Sequence, residues 1–390
     1  MEMEFDDYYD YGKDDTKDDD DDSDDGDENN SDDGDENDSD DTDDDDDNDN
    51  NKVYNKYKQQ QRAQYYLRMI RTSPLFASQP RLERICKDWK NDVLSSSFRK
   101  YTFRSNENDS VNKIHEKIYD LKYLLKLCGF NLTSLDLSCY PNSKLMPIIN
   151  ANCPKLLNLS FRFKEIISQD FENCFSNMYN LHMLSIYWKC EETLPMTLAK
   201  SLEQIGETLE VLKLSCCLQG NDLFSPDSLA PVFPRLIVLK RLEIYKFGLS
   251  QLLIQSISEI KNLRDLSLRS RWPKNHPMFD TRINMYPIGN MKNLWSLDID
   301  CDYGVRDEFL INLCNNAKKL VLITVTGTNI TDIGMSAINN SEQLHHFDLG
   351  LAFSYFVPKS SKNEFITDES IQCLFNQELE TVNISNCINI

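Results

Sequence analysis

Asp298 and Asp300 stand two residues apart in the run Leu297-Asp298-Ile299-Asp300. A carboxylate pair could divide general acid and base work between its members if burial raised one of the two pKa values. Alternate residues of a strand point to one face, so both are expected on an open surface where nothing desolvates them. Cys216-Cys217 and His345-His346 are adjacent pairs of metal-ligating types. Neighbours on a strand point to opposite faces, which denies either pair a shared ion. The chain has 12 glycines and 5 histidines. It carries no phosphate-cradling glycine loop, no G-x-S-x-G turn and no H-E-x-x-H helix. These residues predict no enzyme, no metal and no cofactor. The chemistry left to them is non-covalent recognition. Tyr187, Lys213, Arg241, Glu243, Tyr245, Arg269, Asp298 and Asp300 bring together the residue types that dominate interface hot spots, aromatic rings and arginine among charges.

A repeating apolar frame must position these side chains. The pattern apolar-x-x-apolar-x-apolar recurs ten times, from Leu132/Leu135/Leu137, Leu156/Leu159/Phe161, Leu181/Leu184/Ile186, Leu209/Leu212/Leu214 and Leu239/Leu242/Ile244 to Leu263/Leu266/Leu268, Leu294/Leu297/Ile299, Leu320/Ile323/Val325, Leu344/Phe347/Leu349 and Leu379/Val382/Ile384. Successive units start 24 to 35 residues apart, a spacing that resembles leucine-rich repeats. The last two anchors of each unit share one face of a strand, and the residues between them point the other way. Between strands the period turns helical, as in Leu145/Ile148/Ile149, Leu198/Leu202/Ile205, Leu253/Ile257/Ile260 and Ile371/Leu374/Phe375. One strand and one helix per unit cannot cover their own apolar sides, but stacked units cover each other. The expected fold is therefore α/β: a horseshoe solenoid of about ten strand–helix repeats over 105–390, with a parallel sheet on its concave face. Trp188, Arg271, Trp272 and Asp302 lie just beyond the middle strands and join the expected binding centre. Two long gaps, around Trp272–Gly289 and Leu351–Phe365, add loops with Phe353, Tyr355 and Phe356.

The details resemble the cysteine-containing subclass of leucine-rich repeats. Leu135-Asp136-Leu137-Ser138-Cys139 runs on to Cys153-Pro154, Ile330-Thr331-Asp332 and Ile366-Thr367-Asp368 open helices, and Cys216 and Cys387 close strands. Upstream, Arg81-Leu82-Glu83-Arg84-Ile85-Cys86-Lys87-Asp88-Trp89-Lys90 resembles the C-terminal half of an F-box. Leu82, Ile85, Cys86 and Trp89 form one helical stripe. Leu67 and Ile70 stand where that family has its first helix, without the Leu-Pro dipeptide that usually opens it. The stretch Phe98–Phe103 reads as an entry strand into the repeats. The resemblance to F-box/leucine-rich-repeat proteins implies a Skp-type adaptor and a cullin–RING (SCF-type) ubiquitin ligase as partners. It implies that the solenoid holds a target protein for ubiquitination.

Charge divides the chain differently. Residues 1–50 hold 29 acidic side chains against Lys13 and Lys17, which predicts a disordered acidic tail. Residues 51–104 carry 13 Lys or Arg against Glu83, Asp88 and Asp92, and are read as a basic, helical, F-box-like segment. An adaptor-free scaffold or chaperone for basic clients, and RNA binding by the basic segment, are the alternative readings, with nucleic acid the weaker of the two. No apolar run is long enough for a membrane span. The N-terminus is acidic with no leader-like apolar stretch, and the 12 cysteines form no C-x-x-C pair. Both features point to reduced thiols in the cytoplasm or nucleus.

Overall fold

The chain divides into two units, Met1–Lys56 and Tyr57–Ile390. The computed structural model describes residues 99–105, 109–190, 193–218, 225–270, 283–301, 304–351 and 362–390, all within the longer unit. Lys100–Thr102 (β1) opens a sheet that continues through Ser134–Leu137 (β2), Asn158–Phe161 (β3), Met183–Trp188 (β4), Val211–Cys216 (β5) and Arg241–Tyr245 (β6). It goes on through Asp265–Arg269 (β7), Ser296–Asp300 (β8), Leu322–Val325 (β9) and His346–Asp348 (β10). Asn363–Thr367 (β11) and Cys387–Asn389 (β13) pair separately, and Thr381–Asn383 (β12) completes the main sheet. That sheet has 11 strands in chain order, every pairing parallel. The ten triplets occupy consecutive rungs in phase: Leu135, Leu159, Leu184, Leu212, Leu242, Leu266, Leu297, Ile323, Phe347 and Val382 are successive partners. The eleventh strand, β1, comes from the expected entry stretch.

Each rung opens on one backbone device. The carbonyl just before a strand accepts two successive amides of the next rung. The Lys240 carbonyl takes Arg264 N (2.8 Å) and Asp265 N (2.9 Å), and the Arg264 carbonyl takes Trp295 N (2.8 Å) and Ser296 N (3.0 Å). Inside, the anchors of the first nine triplets are at most 2% exposed. Full burial of one such side chain contributes roughly 1.5–3 kcal/mol, so the register is fixed by the core: a slip of one residue would turn every anchor outward.

The helices are Val111–Cys128 (α1), Met146–Asn152 (α2), Met196–Leu202 (α3), Gln251–Ser258 (α4), Asp307–Asn316 (α5), Asp332–Ser336 (α6) and Asp368–Gln372 (α7). The expectation of one helix per unit is corrected. Among the described residues, the links β3–β4, β5–β6 and β7–β8 hold only 3-10 turns, at Ser168–Phe171, at Asp227–Leu229 with Phe233–Arg235, and at Ile288–Asn290. Pro226, Pro231, Pro234 and Pro287 remove amide donors from two of these links. In the third, Asn173 at φ 52° departs from helical backbone. The trio Ile371/Leu374/Phe375 is also corrected: α7 ends before Leu374, and Phe375 is 75% exposed. α1 was not read from the sequence. Its Ser110 cap accepts Lys113 N at 3.3 Å, and it buries Leu121, Leu124, Leu125 and Cys128.

Carboxylates stitch helix starts to one another. Asp307 accepts Thr331 N (2.8 Å) and Thr331 Oγ1 (2.6 Å) while Thr331 caps α6. One repeat on, Asp332 accepts Thr367 N (2.9 Å), Thr367 Oγ1 (2.8 Å) and Ser370 Oγ while Thr367 caps α7. The orphan amides of each helix start are thereby satisfied by the helix before it as well as by its own cap. The 11 described cysteines are all free. Burial pushes the Cys153 and Cys314 thiols up to about 12, so they behave as small apolar side chains.

Candidate functional site

Buried and half-buried residues alternate along β2, β5, β7 and β8. One face of the sheet is therefore core and the other is open. The register lays three rows across the open face between β5 and β8. Val211, Arg241, Asp265 and Ser296 form the first. Lys213, Glu243, Ser267 and Asp298 form the second. Ser215, Tyr245, Arg269 and Asp300 form the third, with Tyr187 on the β4 side of Ser215. Neighbouring strands lie about 4.8 Å apart, so the eight residues singled out by their types form one continuous patch.

Glu243 is the hub of its β5–β6 side. It is 5% exposed, and its Oε1 receives Arg241 Nε at 2.6 Å and Lys213 Nζ at 3.2 Å. The aliphatic stems of long cations commonly cover what their charged ends bind. On the β7–β8 side, Asp298 Oδ2 accepts Arg269 Nε (2.7 Å), Arg269 Nη2 (2.6 Å) and Ser267 Oγ (3.0 Å). Three donors on one oxygen are the arrangement of an ionised carboxylate. The same guanidinium lies 5.4 Å from the centre of the Tyr245 ring, a cation–π contact. Asp300 Oδ1 accepts Thr326 Oγ1 at 3.1 Å, which carries the network to β9.

Electrostatics correct one expectation. Asp298 does not sit undesolvated: burial raises its carboxyl above the ordinary value and outweighs the Arg269 guanidinium. Burial also raises Asp265, against Arg241 and Arg264. Desolvation acts to lower Arg269, but the charge and hydrogen bond of Asp298 prevail and leave it raised. The partners thus shift in opposite senses for the pair's strength. The three-donor geometry decides in favour of a formed ion pair, because burial penalises the carboxylate without removing any donor. Burial raises the Tyr245 hydroxyl, with the Glu243 charge adding to it. The patch is a set of preformed ion pairs and one ring–cation stack, able to offer hydrogen bonds and flat aromatic area to a partner.

Trp188 does not belong to it. It ends β4 on the core side at 1% exposure, because β4 runs to six residues and its sixth falls in the anchor phase. Ser185 and Thr326 are also buried. Arg271, Trp272, Asp302, Phe353, Tyr355 and Phe356 lie outside the described residues, as do Leu67, Ile70, Leu82, Ile85, Cys86 and Trp89. Among the described residues no three His, Cys, Asp or Glu side chains are grouped to hold a metal ion, and no helix is long and apolar enough to cross a membrane.

No family model matches the chain, and no curated protein matches it. Among solved structures it is similar to a chain of the yeast Rad7 and Elc1 complex, with 17% identity and a TM-score of 0.40 over 84% of this chain and 87% of that one. It is also similar to a Bacteroides fragilis protein, with 15% identity and a TM-score of 0.34 over 63% of this chain and 68% of that one.

Proposed function

We propose that the chain is a leucine-rich-repeat solenoid whose sheet lines a concave surface and recognises another protein. The observation that carries this reading is the patch on β4–β8, where Tyr187, Tyr245 and Arg269 stand among ion pairs that are already formed. Side chains held by their own neighbours lose little further freedom when a partner lands, so more of the contact energy is retained as affinity. Tyr and Arg supply large contact area with a polar handle.

Within that reading the chain is the substrate-recognition subunit of a cullin–RING ubiquitin ligase. Leu67, Ile70, Leu82, Ile85, Cys86 and Trp89 would dock a Skp-type adaptor, and the solenoid would hold the target beside a catalytic centre carried elsewhere. The chain then contributes proximity and no bond-breaking group of its own. This part rests on the resemblance of residues 81–90. Co-purification of the full chain with the adaptor tests it. The expected outcome is a complex that survives Tyr245→Ala and is lost in Leu82→Asp. A folded chain that retains no adaptor would remove the ligase role and leave the docking surface standing. A second reading, a scaffold for basic clients, is favoured by the 29 acidic residues of 1–50. Salt-insensitive histone binding, or none, would dispose of it.

A further inference from the structure

Charge is unevenly spread over the end of the sheet at which the chain enters each strand. Three positions of every triplet stand there: the two residues before its first anchor and the one after it. The bonds that open the rungs set these positions side by side. The Glu210 carbonyl accepts Lys240 N (2.8 Å), the Lys240 carbonyl Arg264 N (2.8 Å), the Arg264 carbonyl Trp295 N (2.8 Å) and the Trp295 carbonyl Val321 N (2.9 Å). Asparagines hold the turns just before. Asn262 Nδ2 donates to the Ile237 carbonyl (2.6 Å) and Asn293 Nδ2 to the Lys261 carbonyl (2.9 Å), while Lys319 Nζ donates to Asn293 Oδ1 (3.1 Å). From β6 to β9 the three positions hold Lys240, Lys261, Arg264, Lys292, Lys318 and Lys319, and no carboxylate. In the other triplets they hold Lys155 against Glu207, Glu210, Glu342, Glu378 and Glu380. The cations of this end are therefore gathered on four consecutive rungs.

Lys240 pairs with Glu210 at 2.8 Å. Lys261, Arg264, Lys292, Lys318 and Lys319 are exposed, and none of them enters an ion pair among the described residues. Lys318 Nζ donates to the Cys314 and Asn340 carbonyls (3.3 and 2.8 Å), neutral acceptors that leave its charge uncompensated. Glu259 and Asp265 border the stretch and leave the cations in excess. Trp295 stands among them, between Arg264 and Val321, and is 48% exposed. We propose that this strand-entry end of β6–β9 binds a single strand of nucleic acid. Its phosphates meet the five cations that lack a carboxylate, and an unpaired base stacks on the Trp295 ring. A carboxylate-rich peptide would match the cations but bring no flat π face to the indole with each charge. A duplex keeps its bases stacked inside, out of the ring's reach. The site shares no residue with the patch on β4–β8 and goes beyond the function proposed for it.

Fluorescence anisotropy on the full chain tests it with a labelled oligothymidine strand. The same strand paired with oligoadenine, and an oligoglutamate of equal charge, serve as comparisons. The single strand should bind at least about tenfold more tightly than either. Lys261→Ala/Lys292→Ala, at exposed positions, should weaken it about tenfold and make its logarithmic salt slope shallower by about 1.4. Trp295→Ala should cost the strand about tenfold and oligoglutamate nothing, and Trp295→Phe should keep most of the affinity. Tyr245→Ala should change none of these values, which separates this site from the one under Proposed function. Binding indifferent to the Lys and Trp variants would lie elsewhere on the chain and overturn the proposal. So would oligoglutamate or the duplex binding as tightly as the single strand, or no binding of the strand at all.

Discussion

Glu243 concentrates the residue-scale energetics, since two cations converge on one nearly buried carboxylate. Glu243→Ala strands Lys213 and Arg241 without an anion. Both cations keep partial access to water, so the expected cost is about 1–2 kcal/mol, below that of a fully buried broken pair. Urea unfolding reads it directly. Asp298→Asn carries a pH signature. Burial makes the folded protein hold this proton more tightly than the unfolded chain does. Stability therefore falls as pH rises from the ordinary carboxylate value through the raised folded one. The melting-temperature difference between wild type and variant should change across that acidic window and be flat above it. A difference independent of pH would contradict the burial of Asp298. The outward phase of Tyr245, Arg269 and Asp298 was legible in the sequence, because period two fixes it. The burial of Asp298 was not, because it depends on how Ser267 and Arg269 fold over it, and strand phase is silent on that. Trp188 was misplaced for a related reason: phase assigns a face only once the strand's length is known.

At the scale of elements, the carboxylate stitches decide how well one repeat holds the next. Asp307 serves the start of α6 through two hydrogen bonds, so Asp307→Ala should cost about 1–2 kcal/mol. A Cβ placed on Gly334 would press on the Asp307 carboxylate. Gly334→Ala should therefore weaken the same junction, and the double variant should cost less than the two singles added. Full additivity in thermal melts would show that the two positions act independently. The Thr caps of α6 and α7 were readable from Ile-Thr-Asp. Their carboxylate partners were not, being one repeat away in the chain. α1 was readable in principle, from Ser110 followed by Ile114, Ile118, Leu121, Leu125 and Cys128 at helical spacing. The 3-10 links escaped because triplet spacing counts residues between strands and says nothing about what they form. The prolines of two links were the available signal.

For the molecule as a whole, stability is a sum of rung-to-rung interfaces, so position along the sheet sets local stability. Amides of β5 to β8 have covered rungs on both sides and should exchange slowest with deuterium, and those of β12 and β13 fastest. Uniform protection along the sheet would contradict the stacking picture. The order of the rungs was legible from ten in-phase triplets. The partial exposure of the tenth triplet was not, since Leu379/Val382/Ile384 carries the same pattern as its buried counterparts. Recognition through the open face is the claim on which the functional reading depends. Photo-crosslinking tests it most directly, with a benzophenone side chain placed at Tyr187 on that face or at Gln255, exposed on α4, in cells expressing the full chain. A discrete protein adduct from position 187 and none from position 255 is the expected result. Adducts from position 255 alone, or equally from both, would contradict it.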